Sequence, residues 1–315
     1  MSGRLDSWAM PGRTLLLSAV VSVVMVAPIV AAYLVAGTPA ALSLAMGLLV
    51  TLRSAITLRP FQALALVVPA AMAGAVAVGL RGQPLAAACF VALCCLLVAP
   101  AGMLQDSLMA AVPSAAAVLV MVPGDFQPGP TAAWMLAGGA LLVAVATRLP
   151  RSAPSPGVEQ HRAWRHATVM AVSVGAVVFL VDTFQVPHGY WVALTLTVVL
   201  GPFDDRTLTK ASQRVLGTIG GALLALVAAT LLPLWALLAL LVISTVLSVG
   251  YALTQDYTRQ VMFMTPAVVL LGSAASNPGL IASERALATL AGALLAAAIA
   301  LGLATFENRR AVVAP

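Results

Sequence analysis

The side chains best able to do chemistry in this chain are cations near apolar segments. Arg206, Lys210 and Arg214 follow one another at four-residue spacing, and Arg259 stands in a later stretch of the same kind. A guanidinium is a planar fork that matches a carboxylate bidentately, whereas an ammonium is a point charge. Four such cations at neighbouring inner helix ends would draw small organic anions into a low-dielectric mouth. Arg214 is the sharpest candidate, about one turn into its expected helix beyond Lys210. It either binds a carboxylate or anchors its helix by snorkelling to the interface. Tyr190 and Trp191 either belong to an interfacial aromatic belt or stack on an aromatic substrate at the outer mouth. Asp106 and Asp256 are candidates for proton uptake, although Asp256 stands three residues before Arg259, a spacing that also makes a simple ion pair.

Other chemistries find no support. His161, His166 and His188 form no His-Glu-x-x-His pattern, and no Gly-x-Ser-x-Gly occurs, so no enzyme is expected. Cys89, Cys94 and Cys95 share one apolar segment and behave there as small buried hydrophobes, so neither a metal nor another cofactor is expected. The net charge of +6 is spread singly over loops, without the basic stripe that tracks phosphates, and nucleic acid is not an expected partner.

The elements that position these residues are membrane helices. Hydrophobic residues make up 62% of the 315 and charged ones 8%, against roughly 25% charged in a soluble domain. The mean hydropathy is +1.05. A spanning helix needs about 20 apolar residues. Apolar runs broken by Pro, Gly and charge predict helices near 13–35, 40–56, 61–80, 85–103, 107–122, 131–149, 164–184, 189–201, 210–231, 234–253, 257–273 and 284–306. The eighth is too short to cross alone: it is either a partial, re-entrant helix or extends through Asp204. The fold class expected is all-α, a polytopic membrane protein of about twelve helices without a soluble domain.

Of the sixteen basic residues, fourteen fall on one side of this map and only Arg81 and Arg285 on the other. That asymmetry is what cytoplasmic retention of Lys and Arg produces, and it places both termini in the cytoplasm, most simply of a bacterial cell membrane. The polar stretch 150–165 separates two halves, 1–149 and 166–315, that echo each other. Gln105-Asp106 and Gln255-Asp256 follow the fourth helix of each half. Pro113 and Pro266 sit in the next helix, and Gly139-Ala140-Leu141-Leu142 and Gly292-Ala293-Leu294-Leu295 in the last. Six spans per half make a parallel repeat about an axis along the membrane normal. Gly217, Gly220 and Gly221 lie on one face of their helix and, like Gly292, suit close helix packing.

The segment from Tyr190-Trp191 through Thr195 to Arg214-x-x-Gly217-Thr218-x-x-Gly221 resembles the fusaric acid resistance-like (FUSC-like) integral membrane family, and Arg285, Thr289 and Gly292 extend the likeness. The first half shares it only through the internal repeat. That family includes aromatic acid exporters and is distantly related to plant malate channels, so the resemblance implies efflux of small aromatic or amphipathic organic acids. A passive anion channel and a non-transport membrane scaffold are the alternatives, each in the bilayer and each compatible with a homo-oligomer. Gly201-x-x-x-Asp205-Arg206-x-x-x-Lys210 also partly matches the loop signature of the major facilitator superfamily, with Leu208 where that signature has its second Gly.

Overall fold

A computed structural model describes residues 11–105, 108–148, 156–200, 204–254, 256–272 and 278–313. The helices are α1 (Gly12–Thr57), α2 (Pro60–Gly79), α3 (Pro84–Leu97), α4 (Ala99–Leu104), α5 (Ala111–Met121), α6 (Pro128–Ala146), α7 (Gln160–Thr183), α8 (Tyr190–Val199), α9 (Asp204–Leu231), α10 (Leu234–Leu253), α11 (Tyr257–Gly272) and α12 (Pro278–Val313). No strand occurs among the described residues. Among these residues, eight helices are long and apolar enough to cross a membrane, α3 and α4 counting as one.

Each expected apolar run falls on a helix; three helices overrun their runs, whereas α5 (Ala111–Met121) is shorter than the expected 107–122. α7 starts at Gln160, inside the expected linker; α9 starts at Asp204 rather than near 210; and α12 covers Pro278–Val313 rather than 284–306. Hydropathy marks only what sits in hydrocarbon, whereas backbone hydrogen bonding carries a helix on into polar residues. The first two expected helices are joined in α1, broken at Gly37 with φ 76° and ψ −169°. Gly37 has no Cβ to oppose positive φ, and Pro39, two residues on, supplies no N–H to the ladder.

The chain divides into two compact units. One comprises Met25–Thr209 and Ala291–Pro315. There α2 packs against α5 and α6, and α3 against α7. Leu44 and Leu48 of α1 form a core with Ala63 of α2 and Leu142, Val143 and Ala146 of α6. Gly138 lies against the Leu44 carbonyl and Gly47 against that of Met135, positions where a Cβ would collide. Helices meet this closely where small residues face each other. A cavity of about 350 Å³ lies between α1, α2, α3 and α5, walled by apolar side chains that include Met72, Phe90 and Cys94.

At the centre of this unit are two short helices. α5 has 11 residues and α8 has 10, about 16 and 15 Å of helix at 1.5 Å per residue, half of the roughly 30 Å hydrocarbon core. Ala115 to Val120 of α5 are all buried, so protein rather than lipid surrounds it. Ser114 Oγ and Thr197 Oγ1, 2.8 Å apart, tie the two helices together. Arg81 closes the far end of α5: its Nε and Nη2 donate to the Leu119 carbonyl at 2.9 and 2.7 Å, and Nη1 donates to Gly124 at 2.7 Å. Its guanidinium also covers the Phe126 ring at 4.2 Å. Arg81 therefore caps carbonyls that the helix leaves unsatisfied.

The other unit comprises Met1–Val24 and Lys210–Leu290. Its α9 is inverted relative to a soluble helix. Arg214, Thr218, Ala222 and Ala225 are buried, while Leu216, Ile219, Leu223 and Val227 are exposed. Apolar residues outward and polar ones inward is the arrangement a bilayer requires. α10 packs on α11, with Tyr251 stacked on Phe263 at 5.6 Å and Ser248 Oγ donating to the Gln260 carbonyl at 3.2 Å.

Candidate functional site: a buried guanidinium between α9 and α11

α9 and α11 run parallel, and glycines set their spacing. A Cβ on Gly217 would come within 2.6 Å of the Thr258 carbonyl oxygen, and one on Gly221 would strike the Met262 carbonyl. Gly220, by contrast, has only ordinary contacts with the Met262 side chain. Going down α9 from these glycines, one turn further brings Arg214 level with the start of α11. There its Nη1 donates to the Tyr257 hydroxyl at 3.2 Å.

Arg214 is 4% exposed. It stands ten residues into α9, about 15 Å along the axis, where the sequence placed it one turn in. Its Nε is buried and has no hydrogen-bond partner among the described residues, and no carboxylate pairs with it there. A charge out of water is costly unless something compensates it. With Nη1 on Tyr257, the Nε–Nη2 edge is the pair of donors that one carboxylate would accept bidentately.

The other expected residues do not gather around Arg214. Arg259 has a counter-charge already: its Nη1 lies 3.3 Å from Asp256 Oδ2, and its guanidinium lies 5.6 Å from the Tyr251 ring centroid. Asp256 also accepts the Arg259 N–H through Oδ1 at 3.0 Å and so caps the N-terminus of α11. The geometry thus accounts for Asp256 as a cap and ion-pair partner. Asp106 lies outside the described residues. Lys210 is half-buried on α9, and Arg206 is in its first turns.

Tyr190 and Trp191 belong to the other unit, where their rings lie 5.0 Å apart with His188 6.0 Å from Tyr190. His188 and Gln185 both take positive φ, 54° and 50°, uncommon for residues with side chains, so this turn holds its rings at some backbone cost. Gly292 packs against α8: a Cβ there would come within 2.8 Å of both Thr195 Cβ and the Val192 carbonyl oxygen.

Two residues escaped the sequence reading. Tyr257 carries no motif of its own in the sequence, because its role depends on α9 packing beside the start of α11. Arg285 was placed at the outer end of the helix expected over 284–306, yet it is 1% exposed, seven residues inside α12. The overlooked signal was Pro278, which suits the first turn of a helix and moves the start back so that Arg285 lies about two turns in.

Comparison with known proteins bears on this same region. Residues 174–299 match the family described as fusaric acid resistance protein-like. An uncharacterized protein of Synechocystis sp. is 35% identical over 143 residues, which are 44% of this chain and 18% of that one. The match therefore spans less than a fifth of the relative's length. No solved structure matches the chain. The family match contains the segment 201–210 and favours the FUSC-like one of its two resemblances. The chain is a multi-pass helical membrane protein whose segment 174–299, with Arg214 and Arg285 in it, is FUSC-like.

Proposed function

We propose that this protein transports small organic acids, aromatic or amphipathic, out of the cell across the bacterial cytoplasmic membrane. The observation that carries the reading is Arg214, a guanidinium buried in a spanning helix with a neutral partner and an unused donor edge. Buried ionisable groups in membrane helices mark substrate or ion pathways by default. An arriving carboxylate would supply the missing counter-charge.

The reading includes two parallel six-helix repeats with cytoplasmic termini. In support, α6 packs closely on the second part of α1 around Gly138 and Gly139, as α12 does on α8 at Gly292, the repeat counterpart of Gly139. α2 likewise packs on α5 as α9 does on α11. The two short helices α5 and α8, buried side by side, suit a transporter core built from partial helices.

The test is uptake of radiolabelled benzoate by proteoliposomes. The wild type is expected to give saturable flux. Arg214→Lys, with charge but no fork, is expected to lose about tenfold in apparent affinity, since charge-assisted bonds are worth 1.5–3 kcal/mol. Arg214→Gln should be worse still, with insertion and abundance unchanged. Flux that rises linearly with concentration would indicate a channel, and absence of flux a scaffold. Normal transport by both variants would make Arg214 an anchor.

A further inference from the structure

α12 brings a second buried guanidinium to the interior that holds Arg214. Ala282 of α12 packs with Ala222 and Ala225 of α9 and Val269 of α11. α11 runs on past Val269 to Gly272, and α12 has returned to that level by Ala282, so α12 descends antiparallel to the other two. Three and seven residues further down stand Arg285 and Thr289, both buried on the face that carries Ala282. Thr218 and Arg214 descend from Ala222 in the same way, also buried. Glu284 is about 100° round α12 from Arg285.

We propose that Arg285 is a second carboxylate-binding station on one anion path through this unit. It lies roughly 10 Å along the helix axes from Arg214, toward the C-terminal end of α9, at 1.5 Å of rise per residue. Side chains on a helix lean toward its N-terminus. Antiparallel α9 and α12 therefore aim Arg214 one way and Arg285 the other, which makes them two successive stations rather than one clamp. The Thr218 and Thr289 hydroxyls lie between these levels and suit the transfer. Two sites of moderate strength let an anion enter and leave where a single strong one would trap it. The station needs no idle guanidinium, because arginine has five donors and an entering carboxylate takes two. The inference rests on the organic-acid transport proposed above.

The experiment measures half-saturating benzoate in oriented proteoliposomes with the acid offered on one side at a time. Arg285→Gln is expected to raise it about tenfold from the side of the α9 C-terminus, the loss of a charge-assisted pair, and to leave the opposite side nearly unchanged. Arg214→Gln should do the reverse. A second measurement needs no variant: phenylglyoxal should modify Arg285 of the wild type, read by mass spectrometry, and benzoate should protect it. Equal effects on both sides, no effect of Arg285→Gln at normal abundance, or an Arg285 that never reacts or is never protected would each overturn the station. Benzoate that crosses with its sidedness untouched removes this inference alone. A wild type that moves no acid removes the transport reading and this inference with it.

Discussion

A guanidinium buried inside a membrane helix has lost most of its hydration, so what surrounds it reports what it is for. Arg259 has its own carboxylate in Asp256, whereas Arg214 has the neutral phenol of Tyr257. That difference separates two arginines which the sequence treats alike. An arginine in an Arg-x-x-Gly-Thr motif is visible by eye, but whether its charge is balanced depends on the neighbouring helix. If Tyr257 orients the fork by holding Nη1, Tyr257→Phe should weaken acid binding while leaving the charge in place. We expect half-saturating benzoate to rise about tenfold or more, the cost of one hydrogen bond to a charged group, at unchanged protein level. A Tyr257→Phe protein with wild-type affinity would mean that Nη1 is positioned by packing alone.

At the scale of elements, most of the helical map was legible because apolar runs of spanning length have few other uses. Helix ends were the weak point, and the one at α12 moved Arg285 from the first turn of its helix into the protein interior. The glycines show a similar limit. Gly217, Gly220 and Gly221 all lie toward one face, yet only Gly217 and Gly221 meet α11 backbone atoms. Gly220 is about 100° round the helix from Gly221, an offset that matters once the position of the partner helix is known. Gly221→Ala should therefore lower stability by about 1–3 kcal/mol through overpacking. Gly220→Ala, whose new methyl meets only a flexible methionine, should be neutral or slightly stabilising, since alanine favours helix over glycine. Thermal unfolding of the two variants in one detergent checks the contrast. Equal losses would show that the α9–α11 contact is not set where the backbones come closest.

For the whole molecule, topology is the property on which both anion stations depend. Its signature is the distribution of charge along the chain. Fourteen of sixteen cations fall on one expected side, and Arg285, one of the two exceptions, is buried in α12. With Arg285 buried inside α12, Arg81 is the remaining cation on the expected outer side, and its guanidinium is committed to carbonyls at the end of α5. The asymmetry is thereby sharpened. Yet eight helices meet the length and hydropathy needed to span, while α5 and α8 are too short to do so alone. If each turns back within the membrane instead of carrying the chain across, the sidedness of everything after it inverts. Single cysteines in a background without Cys89, Cys94 and Cys95 resolve this with an impermeant maleimide on intact cells. Ser152→Cys, in the segment between the halves, is expected to stay unlabelled until the membrane is opened, whereas Gln83→Cys and Asp125→Cys should label from outside. Labelling of Ser152→Cys on intact cells would mean an odd number of crossings in the first half. The two halves would then be inverted rather than parallel, and Arg214 would face the outer side.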